Sequence, residues 1–235
     1  MPEPLRPTTS VKPGPAARSI TASGPIPPLY WAHDRALKPH PHDPAAAREL
    51  LETASWRDRD GDGWRDRDGV PFRFELQVDA ESSVRQDMAL MIQEDLRQVG
   101  LDVQPVVLER RTAGARRRAH DFDAFIGGWR LPTKVDLAVT FATSAVEEGV
   151  NYGRYSSDEL DSLLDQSEQA ADFRDAKPLL DRAQQILRQD QPYTFLYWRE
   201  RLVAFSTRVR DVQPNSQSPL FHLDQWWIPP DARRP

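Results

Sequence analysis

The chain has 235 residues, 31 basic against 36 acidic side chains, a net charge of -5, and no cysteine. Disulfides, thiol nucleophiles and Cys-ligated zinc are therefore excluded. The near-even mixing of charges argues against a nucleic-acid footprint, and no apolar run approaches the ~20 residues of a membrane-spanning helix.

Residues 1–28, rich in Pro, Ser, Thr and Gly, lack hydrophobic periodicity and read as an extended or disordered lead-in. Their first twenty residues show no apolar core of the kind an export signal carries. Asp43 before Pro44 predicts a helix start, with Ala45, Ala46, Leu50, Leu51 and Ala54 completing about three turns and Trp56 closing them. Asp58 to Gly69 is dense in Asp and Gly. Phe72, Phe74, Leu76 and Val78 then alternate with Arg73, Glu75 and Gln77, predicting a half-buried strand. Val84, Met88, Met91, Ile92, Leu96 and Val99 recur at helical spacing, and Gly100 falls at the C-cap. A second strand follows over 101–108, so the three elements form a βαβ unit with a right-handed crossover.

A third strand is expected over Phe122–Gly127, running into Gly128 and Trp129, and an irregular polar segment then reaches Tyr155. Ser156 with Glu159 forms a capping box for a helix carrying Leu160, Leu163 and Leu164. A further helix runs to about Gln189 with Leu179, Leu180, Ala183, Ile186 and Leu187 on its apolar stripe, and Pro178 marks its first turn or a kink. Strand character returns at Tyr193–Trp198 and 202–205, and the tail closes on Phe221, Trp226 and Trp227.

Little in the chain points to catalysis. No carboxylate pair has a general acid/base context, and the five histidines offer no HExxH spacing. No phosphate loop, dinucleotide fingerprint or Gly-x-Ser-x-Gly is present. Asp58, Asp60, Asp62 and Gly63 match the opening of an EF-hand loop, yet the twelfth position is Gly69 and a strand follows where a helix should. An Asp/Gly turn is the expected reading, with no metal and no cofactor. The basic run Arg110, Arg111, Arg116, Arg117 and Arg118 lacks interleaved aromatics and reads as a solvated helix or loop face.

Several segments together resemble the family 5 extracellular solute-binding proteins, the oligopeptide- and dipeptide-binding receptors of ABC importers. They are Gly24-Pro25-Ile26-Pro27-Pro28, the helix Asp43 to Leu51, and Trp56 before the Asp/Gly hairpin. They continue with Phe122-Asp123-Ala124 leading to Gly128-Trp129, Asn151-Tyr152 ahead of Tyr155-Ser156, and Ala183 to Leu187 before Pro192. The resemblance implies an α/β, periplasmic-binding-protein-like (type II) second lobe, a mixed sheet with flanking helices. It implies a lobe over 29–191 and a tail over 192–235 that normally returns to the first lobe. It further implies a binding module and not an enzyme, working outside the cytoplasmic membrane with a small-molecule or peptide solute and an ABC permease. The membrane would be met only through that permease. Because the family is usually more than twice this length, the chain is expected to be a C-terminal portion without the first lobe. The alternative is a repurposed lobe acting as a protein-interaction module through Trp198, Phe221, Trp226 and Trp227.

By the same resemblance Trp129 is either a solute contact or a core tryptophan, and Arg130 beside it faces cleft or solvent. Arg110 offers a bidentate partner for a carboxylate, and Asn151 and Tyr152 offer polar contacts opposite Trp129. The Asp that pairs with a peptide's amino terminus in this family is replaced by Pro132, while Asp136 reads as a local cap.

Overall fold

The computed structural model describes residues 19–132, 134–199, 203–215, 218 and 220–232. In chain order its elements are β1 (Ser19–Thr21), α1 (Pro44–Thr53), β2 (Asp66–Arg67), β3 (Val70–Pro71), β4 (Arg73–Asp79), α2 (Ser83–Arg97) and β5 (Asp102–Leu108). There follow α3 (Arg110–Arg118), β6 (Ala124–Phe125), α4 (Ala138–Phe141), α5 (Ala145–Glu148), α6 (Asp158–Gln169), α7 (Phe173–Asp190) and β7 (Tyr197–Arg199). Two compact units result: one of residues 40–131 and 136–165, the other of the described parts of 1–39, 132–135 and 166–235.

The 40–131/136–165 unit is built on the expected βαβ pattern. β4 pairs in parallel with β5, from Arg73 opposite Asp102 to Asp79 opposite Leu108, and with β6 on its other side, Leu76 opposite Ala124. The sheet order is β5-β4-β6. Leu76, Val78, Ala89, Val103 and Ile126 form its buried core, with Phe74, Met88, Ile92, Leu96 and Ala124 packed around them. Each Leu, Val or Ile side chain among them contributes about 1.5–3 kcal/mol when fully buried. Val84 and Met91, expected on the apolar stripe of α2, are instead half or more exposed. Ala89 takes the close contact, because its small side chain lets the helix approach the sheet.

Ser82 caps α2, and Gly100 ends it with φ +85. A side chain there would also meet Arg65 Cγ at 2.9 Å, so both backbone and space require glycine. Arg65 is buried and holds this corner, donating to Val99 O (2.8 Å), Trp56 O (2.8 Å) and Glu52 Oε1 (2.6 Å). The Asp/Gly segment resolves into two turns. Asp58 accepts from Gly61 and Gly63 N–H and Asp62 from Trp64 N–H, while Asp68 and Gly69 (φ 56 and 76) make the tight β2–β3 turn. The Asp58, Asp60 and Asp62 carboxylates lie within 4.8 Å of one another on the surface.

Four local expectations are corrected here. The three-stranded sheet is parallel throughout; antiparallel pairing occurs in the separate β2–β3 and β1–β7 pairs. The stretch before Tyr155 holds two short helices, α4 and α5. The α6 cap is Ser157, which accepts from Leu160 N–H (3.3 Å), while Ser156 Oγ accepts from Thr143 Oγ1 (3.0 Å). The basic run is the helix α3, capped by Glu109, and it is only partly solvated.

In the other unit β1 pairs antiparallel with β7, Ile20 opposite Trp198. Residues 1–18 of the expected lead-in lie outside the described residues, but 19–28 are built into structure, with Ile26 fully buried. Its hydrophobic side chain and this pairing outweigh the turn-like composition around it. Asp172 caps α7, so Pro178 stands in the helix interior and not in its first turn. Gln184, buried on α7, donates to Ala32 O (2.9 Å) and accepts from Asp34 N–H (3.3 Å). α7 belongs to the same compact unit as residues 19–39. Of the expected tail strand over 202–205, Leu202 lies outside the described residues and 203–205 have no regular pairing.

Candidate functional site at the carboxyl edge of the parallel sheet

A sheet of order β5-β4-β6 has its chain leave β4 toward one side and reach β6 on the other. With right-handed crossovers, α2 and α3 must then cover opposite faces. The side chains agree: α2 packs on Phe74, Leu76 and Val78, while α3 places Arg116 on Glu75 (3.6 Å) and Arg117 on Asp79 (2.6 Å). Such a reversal opens a crevice outside the carboxyl ends of the two strands, here between β4 and β6. Asp79 ends β4, and Gly127, Gly128 and Trp129 continue from β6.

Asp79 is buried to 8% exposure and binds two guanidiniums, with Arg85 Nη1 on Oδ2 and Arg117 Nη2 on Oδ1. Arg117 also lies over the Phe125 ring, 4.6 Å from its centroid. Among the described residues its Nε and the Oε1 of fully buried Gln77 have no hydrogen-bond partner. Phe125 meets Phe122 edge-on at 5.1 Å and Tyr152 at 6.0 Å, and Tyr152 meets Trp129 at 6.1 Å with the planes tilted 35°. A continuous aromatic strip thus runs from the buried ion cluster to the surface.

The residues singled out from sequence divide within this geometry. Trp129 is 46% exposed, so it is no core tryptophan. Tyr152 is half-buried beside it, and its carbonyl is held by His120 Nδ1 (2.9 Å). Asn151 is buried, and its amide is engaged with Ala142 O (3.0 Å), Tyr155 O (2.8 Å) and Tyr155 N–H (3.0 Å). It fixes the loop that presents Tyr152. Arg130 is exposed next to Trp129. Arg110 begins α3 with its side chain exposed, and its backbone N–H reaches Glu81 Oε1 (3.3 Å).

Asp79, Arg85 and Arg117 were not anticipated. The signal was present: a central parallel strand is covered on both faces and ordinarily reads apolar throughout. Glu75, Gln77 and Asp79 break that rule, so their face had to meet polar partners.

Away from the site, the clearest titration effects are superficial. Arg97 hydrogen-bonds Glu94 and lowers its carboxyl, and Asp121 beside Arg116 raises that guanidinium further. Among the described residues no helix is long and apolar enough to cross a membrane.

Residues 16–145 match the family model described as Bacterial extracellular solute-binding proteins, family 5 Middle. The chain is similar to the oligopeptide-binding protein AppA of Bacillus subtilis, 29% identical over 205 residues covering 86% of this chain and 38% of that protein. It is also similar to the nickel-binding periplasmic protein of Escherichia coli, 31% identical over 115 residues covering 43% and 22%. The solved structure of AppA in complex with a nonapeptide superposes with a TM-score of 0.78 at 28% identity, over 90% of this chain and 43% of that one. The chain therefore spans well under half the length of these relatives. The α/β, type II periplasmic-binding-protein fold expected from sequence is the fold these structures share. On the family match and these similarities, the chain belongs to the bacterial extracellular solute-binding proteins of family 5, a family of binding proteins and not of enzymes.

Proposed function

We propose that this chain supplies a solute-contacting lobe of an ABC-importer receptor, and that Trp129 and Tyr152 form the contact surface. The observation that carries the reading is a half-exposed tryptophan following two glycines at the switch point of a parallel sheet. Asn151 and His120 act as positioning residues for Tyr152. The relatives' names span oligopeptide, di/tripeptide, nickel, heme and glutathione binding, which supports a solute role without selecting the solute. The same kinship supports action outside the cytoplasmic membrane beside a permease.

A receptor of this kind closes two lobes over its ligand, so the chain alone should bind weakly. Calorimetry is expected to detect no micromolar binding. Heteronuclear NMR with millimolar short peptides should shift the Trp129 indole and the Gly127 and Gly128 amides first. Shifts scattered over the surface, or absent from these groups, would overturn the reading. The complementary lobe would come from polypeptide beyond these residues or from a separate subunit. An intact mass of the endogenous protein far above, or near, 26.9 kDa distinguishes the two.

A second reading, association with another chain, is favoured by one observation. Leu220, Phe221, Leu223 and Trp227 are 41–54% exposed within a few residues of each other. Of the four aromatics first assigned to such a surface, Trp198 and Trp226 instead have their indole nitrogens buried, with Trp226 edge-on to Phe205 at 5.1 Å. A strictly monomeric elution at all concentrations would remove this reading.

A further inference from the structure

We infer that the site selects solutes bearing an anionic group, with Arg85 as the specificity-determining residue. This rests on the solute-contact reading above and deepens it.

The charges do not balance. One carboxylate, Asp79, faces two guanidiniums, leaving a surplus positive charge at the inner end of the aromatic strip. The two arginines are not equivalent. The Arg117 side chain is 14% exposed, clamped between Asp79 and the Phe125 ring, and serves the protein's own structure. Arg85 is 29% exposed and gives only Nη1 to Asp79, so its Nε–H and Nη2 carry no protein hydrogen bond among the described residues. Glu81, the next acid along the chain, lies within reach of the start of α3, where it accepts from Arg110 N–H.

Gly128 shows where those donors sit. Its φ lies outside the left-handed region, so backbone conformation does not require glycine there. A Cβ there would stand 2.9 Å from Arg85 Nη2, so the guanidinium tip would have to move aside. The guanidinium therefore rests against the main chain immediately before Trp129, alongside the proposed contact surface. Arg85 also belongs to the first turn of the 15-residue α2, whose amide dipoles favour negative charge at that end. A planar fork with free donors, beside an aromatic ring and a helix start, suits a carboxylate.

The test compares N-acetylphenylalanine with N-acetylphenylalanine amide, and with phenethylamine as the cationic counterpart, by NMR titration of the full chain. The acid should bind about tenfold more tightly than the amide, as hydrogen bonds to charged groups warrant. Arg85→Gln should abolish that preference by bringing the acid's affinity down to that of the amide. Arg85→Lys should keep part of it, since the charge remains and the fork is lost. Gly128→Ala, which keeps the arginine but displaces its guanidinium, should weaken the preference independently. Equal affinity for acid and amide, tighter binding of phenethylamine, or a preference that survives Arg85→Gln and Gly128→Ala would each overturn charge selection while leaving the solute site standing. No response of Trp129 to any of the three probes would overturn the solute-site reading itself, and this inference with it.

Discussion

The two faces of strand β4 are held by opposite kinds of force. Phe74, Leu76 and Val78 face α2 through apolar contact, while Glu75 and Asp79 meet Arg116 and Arg117 of α3, Gln77 donates to Asp121 O, and Arg85 from the start of α2 also reaches Asp79. One strand thus carries a core on one side and an ion cluster on the other. The apolar face needs only volume and tolerates approximate geometry. The polar face needs every partner in place, and Gln77 Oε1 and Arg117 Nε already lack one among the described residues. Stability therefore resides chiefly on the first face, and the site borders the second.

That contrast can be broken from either side. On the apolar face Leu76→Ala removes a nearly buried side chain and should lower unfolding free energy by about 2–5 kcal/mol in urea titration. A change below 1 kcal/mol would mean this face is not the anchor. On the polar face Asp79→Ala strands two guanidiniums, one largely buried, and should cost about 3 kcal/mol. Asp79→Ala combined with Arg117→Met should recover most of that loss, because a buried pair replaced by apolar groups is close to neutral. Failure to recover would show that the cluster does more than cancel charge.

Smaller effects sharpen the comparison. Asn151→Ala removes a buried amide with three backbone contacts and should cost about 1–3 kcal/mol. It should also broaden the Tyr152 and Trp129 ring resonances. Trp129→Ala should change the melting temperature little, since a half-exposed ring at the edge of the unit contributes to binding more than to folding. Smallest of all is the Glu94–Arg97 pair on the exposed side of α2. Because the folded-state carboxyl is lowered, any stabilisation is present above its unfolded value and lost as pH falls through the folded one. With both groups in solvent, Glu94→Gln should leave the acid limb of the pH–melting profile unmoved.

Much of the fold was legible in the residue order. The alternation over 72–78, the helical spacing to Leu96, Gly100 at the helix end and the strand after it are local signals, and each element stands where they placed it, within a residue or two. The cap at Asp43 was equally plain. The Asp58–Gly69 segment was legible as turn chemistry, although the turn that closes the hairpin lies at Asp68–Gly69, toward its end. Local signals misled where distant pairing decided the outcome. The composition of 19–28 reads as lead-in, but β1 pairs with β7 almost 180 residues away and Ile26 is buried by the fold. Ser157 displaced Ser156 as cap because Ser156 is engaged by Thr143.

The candidate site followed the same division. Trp129 after two glycines, and Tyr152 after Asn151, could be singled out because their residue types and neighbours are local facts. That Asn151 faces inward as a clamp and that Arg85 stands against Gly128 depend on contacts across 4 to 43 residues. By itself the sequence determined the kind and order of the elements, since hydrophobic period, caps and turns act over one or two helical turns. Only the tertiary structure decided which side chains share the carboxyl edge of the sheet. Strand order and crossover direction set that edge, and neither is encoded in any one segment.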